Sequence, residues 1–134
     1  MIPSMNNILT TDIEVKTQET KNYRMFFTEK CIKGYVDELE AMQQVIYKIL
    51  NTERYQYIIY SWDYGIETLD LYGEPISYVC PEIERRIVEA LIQDDRIESV
   101  DNFEFDYNKK GKIHVTFKVH TIYGDLEEEK VVNY

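Results

Sequence analysis

FEFDYNKKGKIHVTFKV, residues 103–119, decides the fold class of this chain. Phe103, Phe105 and Tyr107 alternate with polar residues, and Ile113, Val115, Phe117 and Val119 do the same beyond the turn-forming run Asn108-Lys109-Lys110-Gly111. Strand side chains point to opposite faces in turn, so this period of two describes an antiparallel hairpin with one buried and one wet face. Val131 and Val132 extend the expectation to an edge strand, with the acidic run Glu127-Glu128-Glu129 discouraging stray pairing there.

Upstream the period lengthens. Leu39, Met42, Val45, Ile46, Ile49 and Leu50 recur at spacings of three and four, which predicts a helix over 37–51. Asp37 is placed to cap its first turn, with Glu40 reaching back as in a capping box. Pro81 at a first-turn position, Glu82 and Glu84 near the positive end, and the stripe Ile83, Ile87, Ala90, Leu91 predict a second helix over 81–93. YRMFF and CIKGYV flank Thr28, Glu29 and Lys30 as a hairpin would. Residues 1–20 lack periodicity and read as an extended arm, leaving 21–134 as one domain. The expected class is α+β: two main helices packed on a small, mainly antiparallel sheet with a C-terminal β-hairpin.

The chain has 134 residues, 25 acidic and 15 basic, for a formal charge of -10. That balance repels nucleic acid and anionic lipid, and no apolar run approaches the roughly 20 residues of a membrane span. Neither partner is expected, and no signal peptide is evident in the polar start. Cys31 and Cys80 lack CxxC spacing and read as buried thiols in a reducing compartment. His114 and His120 fall on the wet face of one strand, roughly 20 Å apart at 3.3 Å per residue, so they share no metal. The glycines are scattered rather than clustered before a helix, and no nucleophile elbow occurs. No cofactor, metal or catalytic residue is expected.

The unusual stretch is ILNTERYQYIIYSWDYGIETLDLYGEP, residues 49–75, which holds five of the twelve tyrosines and the single tryptophan. Aromatics and arginine dominate the energetic centres of protein interfaces. As a strand, it would place Ile58, Tyr60, Trp62 and Tyr64 on one face and Tyr55, Tyr57 and Ile59 on the other. A central strand covered on both sides and an interface are then comparable readings. Glu53 and Arg54 would form a helix-end ion pair or serve an interface. Gly65 and Gly73 read as turn and helix-end residues around a short helical piece, 67–72.

These segments resemble a known family. ILNTERYQYIIYSWDYGIE, then LDLYGEP, then LIQDDRIESVDNF are similar to the PBSX-type prophage baseplate proteins, which belong with the small wedge protein that seeds the sheath of contractile phage tails. The resemblance covers about residues 32–121. It implies a compact domain joining baseplate to sheath. A Glu-Arg-Pro motif docks on larger, baseplate J-like wedge subunits, and an exposed sheet receives strands from the first sheath ring. The motif maps onto Glu53 and Arg54; Tyr55 stands where the family has proline, and the interval to Tyr64-Gly65 is longer.

The resemblance further implies a noncatalytic structural subunit, assembled in the bacterial cytoplasm into a tail baseplate in several copies. Its expected partners are the larger wedge subunit and the sheath protein, with tube or hub proteins as further candidates. Glu53 and Arg54 are expected to anchor the wedge partner, with Tyr55, Tyr57, Tyr60, Trp62 and Tyr64 in the same surface and the aromatics packed behind the anchor. A tail-associated peptidoglycan hydrolase is the alternative from another class, and a small regulatory adaptor a third; no carboxylate pair stands out to support the former.

Overall fold

A computed structural model describes Glu14 and residues 16–134 of the chain. The expected arm over 1–20 therefore lies mostly outside the described residues. The architecture is α+β: two helices with a two-stranded and a three-stranded antiparallel sheet.

Strands β1 (Asn22–Phe26) and β2 (Cys31–Val36) form the first hairpin, which turns at the expected Thr28-Glu29-Lys30. Its register slips between Tyr23 and Met25. The buried side chain of Gln44 answers that slip from the neighbouring helix: its carbonyl accepts from the Met25 amide and its amide donates to the Tyr23 carbonyl, both at 2.8 Å. Backbone groups that leave a ladder must find partners elsewhere, and one glutamine supplies both. Cys31, expected inside, lies exposed, while Cys80 is half-buried. Its position at the start of the short β2, in a hairpin with little core beneath it, explains the difference.

Helix α1 (Glu38–Leu50) starts at its Asp37 cap, whose carboxylate accepts the Glu38 amide at 2.8 Å and the Thr20 hydroxyl. Those hydrogen bonds hold Asp37 below the usual carboxylate range, Thr20 contributing most. Glu40 does not reach back as a capping box requires; it pairs with Arg24 of β1 at 2.8 Å. Met42, Ile46, Ile49 and Leu50 face the core as the spacing predicts.

Helix α2 (Ile76–Ile92) begins five residues before the expected start, so Pro81 sits inside it rather than in its first turn. The apolar stripe in fact runs upstream through Val79 to Ile76. Pro81 removes one helical donor, and because it lies on the exposed face, water can satisfy the freed carbonyl.

Strands β3 (Ile97–Lys109), β4 (Lys112–Thr121) and β5 (Gly124–Asn133) follow as a meander with β4 in the middle. Ile113, Val115, Phe117 and Val119 of β4 are all buried against α1 and α2, the one-faced burial that the period of two predicts. Phe103 stacks on Phe117 with ring centres 5.5 Å apart. His114 and His120 lie on the opposite face as expected, in cross-strand pairs with Glu129 at 2.8 Å and with Asp125 and Asp101 at 2.7 and 3.0 Å. The Asp125 bond, then that of Asp101, holds His120 above its ordinary value. The two edges differ: β3 shifts register three times along its length, whereas β5 pairs with β4 without interruption from Gly124 to Asn133.

Candidate partner-binding surfaces

The aromatic segment is not a strand. Residues 55–63 form consecutive turns closed by Tyr60 N–H to the Tyr57 carbonyl and Tyr64 N–H to the Ser61 carbonyl, and the sole pairing is a parallel bridge between Glu53 and Ile66. Alternation alone could not decide this, because a strand also needs neighbours on its edges, and the nearby backbone partners are consumed by that bridge.

Glu53 and Arg54 do not pair with each other. The Glu53 carboxylate accepts from the Thr68 amide and hydroxyl, each at 2.8 Å, and from the Leu69 amide at 3.2 Å. It thereby caps the 3-10 turn Leu69–Leu71, all that forms of the expected helical piece. The Arg54 side chain, 9% exposed, donates to the carbonyls of Gly65 and Asp63, both at 3.2 Å, and to Glu89 of α2 at 2.9 Å. Its guanidinium fork spans two carbonyls and a carboxylate, and the same bond holds Glu89 below its usual range. The two residues clasp the ends of the loop.

The aromatics lie outside this clasp, the reverse of the expected packing behind it. Trp62 is 86% exposed, Ile59 84%, and Tyr55 and Tyr57 more than half. They hold one another in shape: Tyr55 meets Trp62 edge-on with centres 6.4 Å apart, Tyr57 meets Tyr60 edge-on at 6.1 Å, and Tyr60 stacks on Tyr64 at 4.5 Å. Tyr64 alone packs against the core, and burial pushes its hydroxyl upward. Tyr55 takes φ +68°, a left-handed conformation that proline, fixed near −65°, cannot adopt. The proline that the resemblance implies at this position could not hold that backbone.

Arg86 and Arg96, which no sequence pattern singled out, perform similar clamping elsewhere. Arg86 is buried and binds Asp70, Glu82 and the Glu67 carbonyl, with Arg85 and Arg86 together drawing Glu82 down to about 2. Arg96 grips the Asp94 carboxylate and the Glu19 carbonyl. Burial raises Asp94, but Arg96 outweighs it and keeps that carboxyl below its usual range. Glu82 and Asp94 are local partners, four and two residues from their arginines, whereas Asp70, Glu67 and Glu19 reach them only through tertiary contact.

The second surface is the outer edge of β5, unpaired among the described residues. Tyr134 N–H donates to the Gly111 carbonyl, which fixes the phase of the β4–β5 ladder: even-numbered β5 residues bond to β4, odd-numbered ones turn their N–H and C=O away from it. Asp125, Glu127, Glu129, Val131 and Asn133 therefore present a row of backbone donors and acceptors along an open edge.

The even-numbered side chains face the core side, where Glu128 stands directly across from the buried Phe117 and Lys130 from Val115. Lys130 gives its ammonium to the Leu50 carbonyl at the end of α1. Glu128 Oε1 is buried without a hydrogen-bond partner among the described residues. Burial pushes this carboxyl from 4.5 to about 7, with Gln43 opposing and Glu129 adding a little. A carboxyl with a raised folded pKa binds its proton more tightly in the folded state. Its contribution is present below pH 4.5 and is lost as pH rises through about 7. Relative to Glu128→Gln, the wild type should lose about 1–2 kcal/mol between pH 4.5 and 8 in urea unfolding, discounted for half-exposure. A parallel pH profile in both proteins would refute this.

No helix among the described residues is long and apolar enough to cross a membrane, and no cluster of three or more His, Cys, Asp or Glu there could hold a metal. The model of the family "Contractile injection system sheath initiator" matches residues 10–124. The chain is also 40% identical over 129 residues to the phage-like element PBSX protein XkdS of Bacillus subtilis (strain 168), covering 90% of each.

Proposed function

The chain belongs to the contractile injection system sheath initiator family, a family of structural tail proteins, and from that premise we propose a specific division of labour between its two surfaces. The β5 edge receives a strand from the first ring of sheath subunits, and the clasped aromatic loop docks on a larger, baseplate J-like wedge subunit. The protein acts by assembly rather than catalysis, in several copies, within the tail baseplate of a phage, prophage or phage-derived bacteriocin.

The observation that carries this reading is the uninterrupted β5 edge, ten residues in register with β4, whose outer backbone groups have no partner among the described residues. Strand addition to such an edge draws affinity from main-chain hydrogen bonds. The bulged β3 edge is a poorer acceptor, because register shifts twist donors out of line. The loop supplies the complementary contact, since Tyr55, Tyr57, Tyr60 and Trp62 present aromatic surface that is already ordered by mutual packing. In this reading Glu53 and Arg54 anchor the wedge partner indirectly, by shaping the loop, and Tyr64 seats it on the core.

Proline replacement at odd positions of β5 isolates the edge. Glu129→Pro and Val131→Pro each remove an outward N–H and leave the β4 ladder bonds in place. Particles carrying either variant should assemble baseplates and tubes but no sheath, as seen by electron microscopy, while circular dichroism of the purified variant stays native. Sheathed tails of normal length would overturn the assignment of this edge.

A further inference from the structure

Between the tip of the first hairpin, the C-terminal half of α1 and the β5 edge lies a cavity of about 430 Å³. Phe27, Gln43, Tyr47 and Leu50 form one side, and Glu128 and Lys130 the other. Phe27 and Tyr47 pack together with ring centres 4.3 Å apart, making an apolar wall. Glu129 and Val131, whose backbone groups face outward, also border the space, so it continues past the edge of the sheet. A strand laid along β5 would cover it, and alternate side chains of that strand would enter it.

The ladder phase says which position matters. Glu128 bonds to β4, so an antiparallel strand on the other side would meet it at a non-hydrogen-bonded position, where facing Cα atoms approach to about 4.5 Å and side chains are closest. Glu128 offers there a buried Oε1 that no hydrogen bond meets among the described residues, the neighbouring Gln43 amide only partly offsetting the burial of the carboxyl, while Lys130 has its Leu50 carbonyl. A carboxylate beside Phe117 is costly unless a cation meets it.

We propose that the strand received by this edge carries a lysine or arginine opposite Glu128, its charged end meeting the Glu128 carboxyl group, which turns toward it, and its aliphatic stem in the cavity against Phe27 and Tyr47. This rests on the strand-addition reading above. It converts a sequence-tolerant backbone interaction into a registered one: slipping the strand by one residue moves the cation to the wet face, and by two residues moves it off Glu128. Long basic side chains suit the site, because their stems bury against apolar walls while the head remains polar.

The test uses ten-residue model strands of alternating valine and threonine with a polyethylene glycol tail for solubility. A central inward position carries lysine, its uncharged counterpart norleucine, or glutamate. Each is titrated against the full chain, with hydrogen exchange of the β5 amides as a second readout. The lysine strand should bind about tenfold more tightly than norleucine, glutamate should bind worst, and the preference should vanish in Glu128→Gln. If lysine and norleucine strands bind alike and both protect the odd-numbered β5 amides, strand addition stands and the registered cation is wrong. A lysine preference that survives in Glu128→Gln also overturns the proposal, assigning the contact to another acid. Strands that leave β5 unprotected at millimolar concentration overturn both readings.

Discussion

Replacing Arg54 with alanine should lower the unfolding free energy by about 2–4 kcal/mol and release the aromatic loop from the body of the protein. The side chain is 9% exposed and spans the Gly65 carbonyl, the Asp63 carbonyl and the Glu89 carboxylate. Truncation leaves the first two short of a donor, and Glu89 keeps only its bond to Arg85. Urea unfolding measures the global part. Hydrogen exchange measures the local part, with the Tyr60 and Tyr64 amides losing protection because the turns they close lie in the loop that Arg54 ties to α2 through the Asp63 and Gly65 carbonyls. Arg54→Lys retains the charge but not the fork, so less than half of the loss should return. In particles, Arg54→Ala should impair docking of the larger wedge subunit through disorder of the loop, and pre-ordering the loop by a covalent cross-link should restore it. A variant with native stability, native loop protection and normal tails would refute both the clasp and the anchoring role.

The second large effect is expected at Gly65. Its φ of +91° lies in the region L side chains rarely adopt, and an added Cβ would stand 2.5 Å from the Thr52 carbonyl oxygen. That oxygen cannot yield, because it accepts the Ile66 amide at 3.0 Å while the Ile66 carbonyl takes the Arg54 amide at 3.1 Å. Gly65→Ala therefore combines backbone strain with a backbone clash, together about 3 kcal/mol or more. For a chain of 134 residues this corresponds to a melting temperature lower by roughly 10 °C. Differential scanning calorimetry of the purified variant tests it, and a shift below about 3 °C would show that the bridge between Glu53 and Ile66 relaxes freely. The contrasting control is Gly73→Ala, whose added Cβ would meet open space and would pay only for its φ of +87°.

The two surfaces were legible to different degrees. That residues 49–75 stand apart chemically is evident from composition, and Glu53, Arg54 and Gly65 stand out within them by residue type and position. Their direction of action was not legible. A sequence places an arginine beside a helix end but says nothing of whether its fork turns outward to a partner or inward to two carbonyls of the following loop. The β5 edge was legible as an edge from Val131 and Val132, yet the acidic run before them reads as a solvated face. Only the pairing register turns the middle member of that run, Glu128, to the core side, across from Phe117.

The sequence by itself determined what local periodicity can carry. The period of two set β3 and β4, the spacing of Leu39 to Leu50 set α1, Asp37 set where that helix starts, and turn residues closed the hairpins. In each case the same few neighbouring residues that code the element also bury its face. Tertiary structure alone decided where those signals compete or fall silent. Pro81 reads as a helix start until the buried stripe from Ile76 pulls it inside α2, and alternation over 55–64 reads as a strand until no neighbour remains to pair with it. Buried arginines that join residues 11 to 77 positions apart and a carboxyl turned toward a cavity are properties of contact between distant segments. No local pattern encodes them, because the free energy that fixes them arises only once those segments meet.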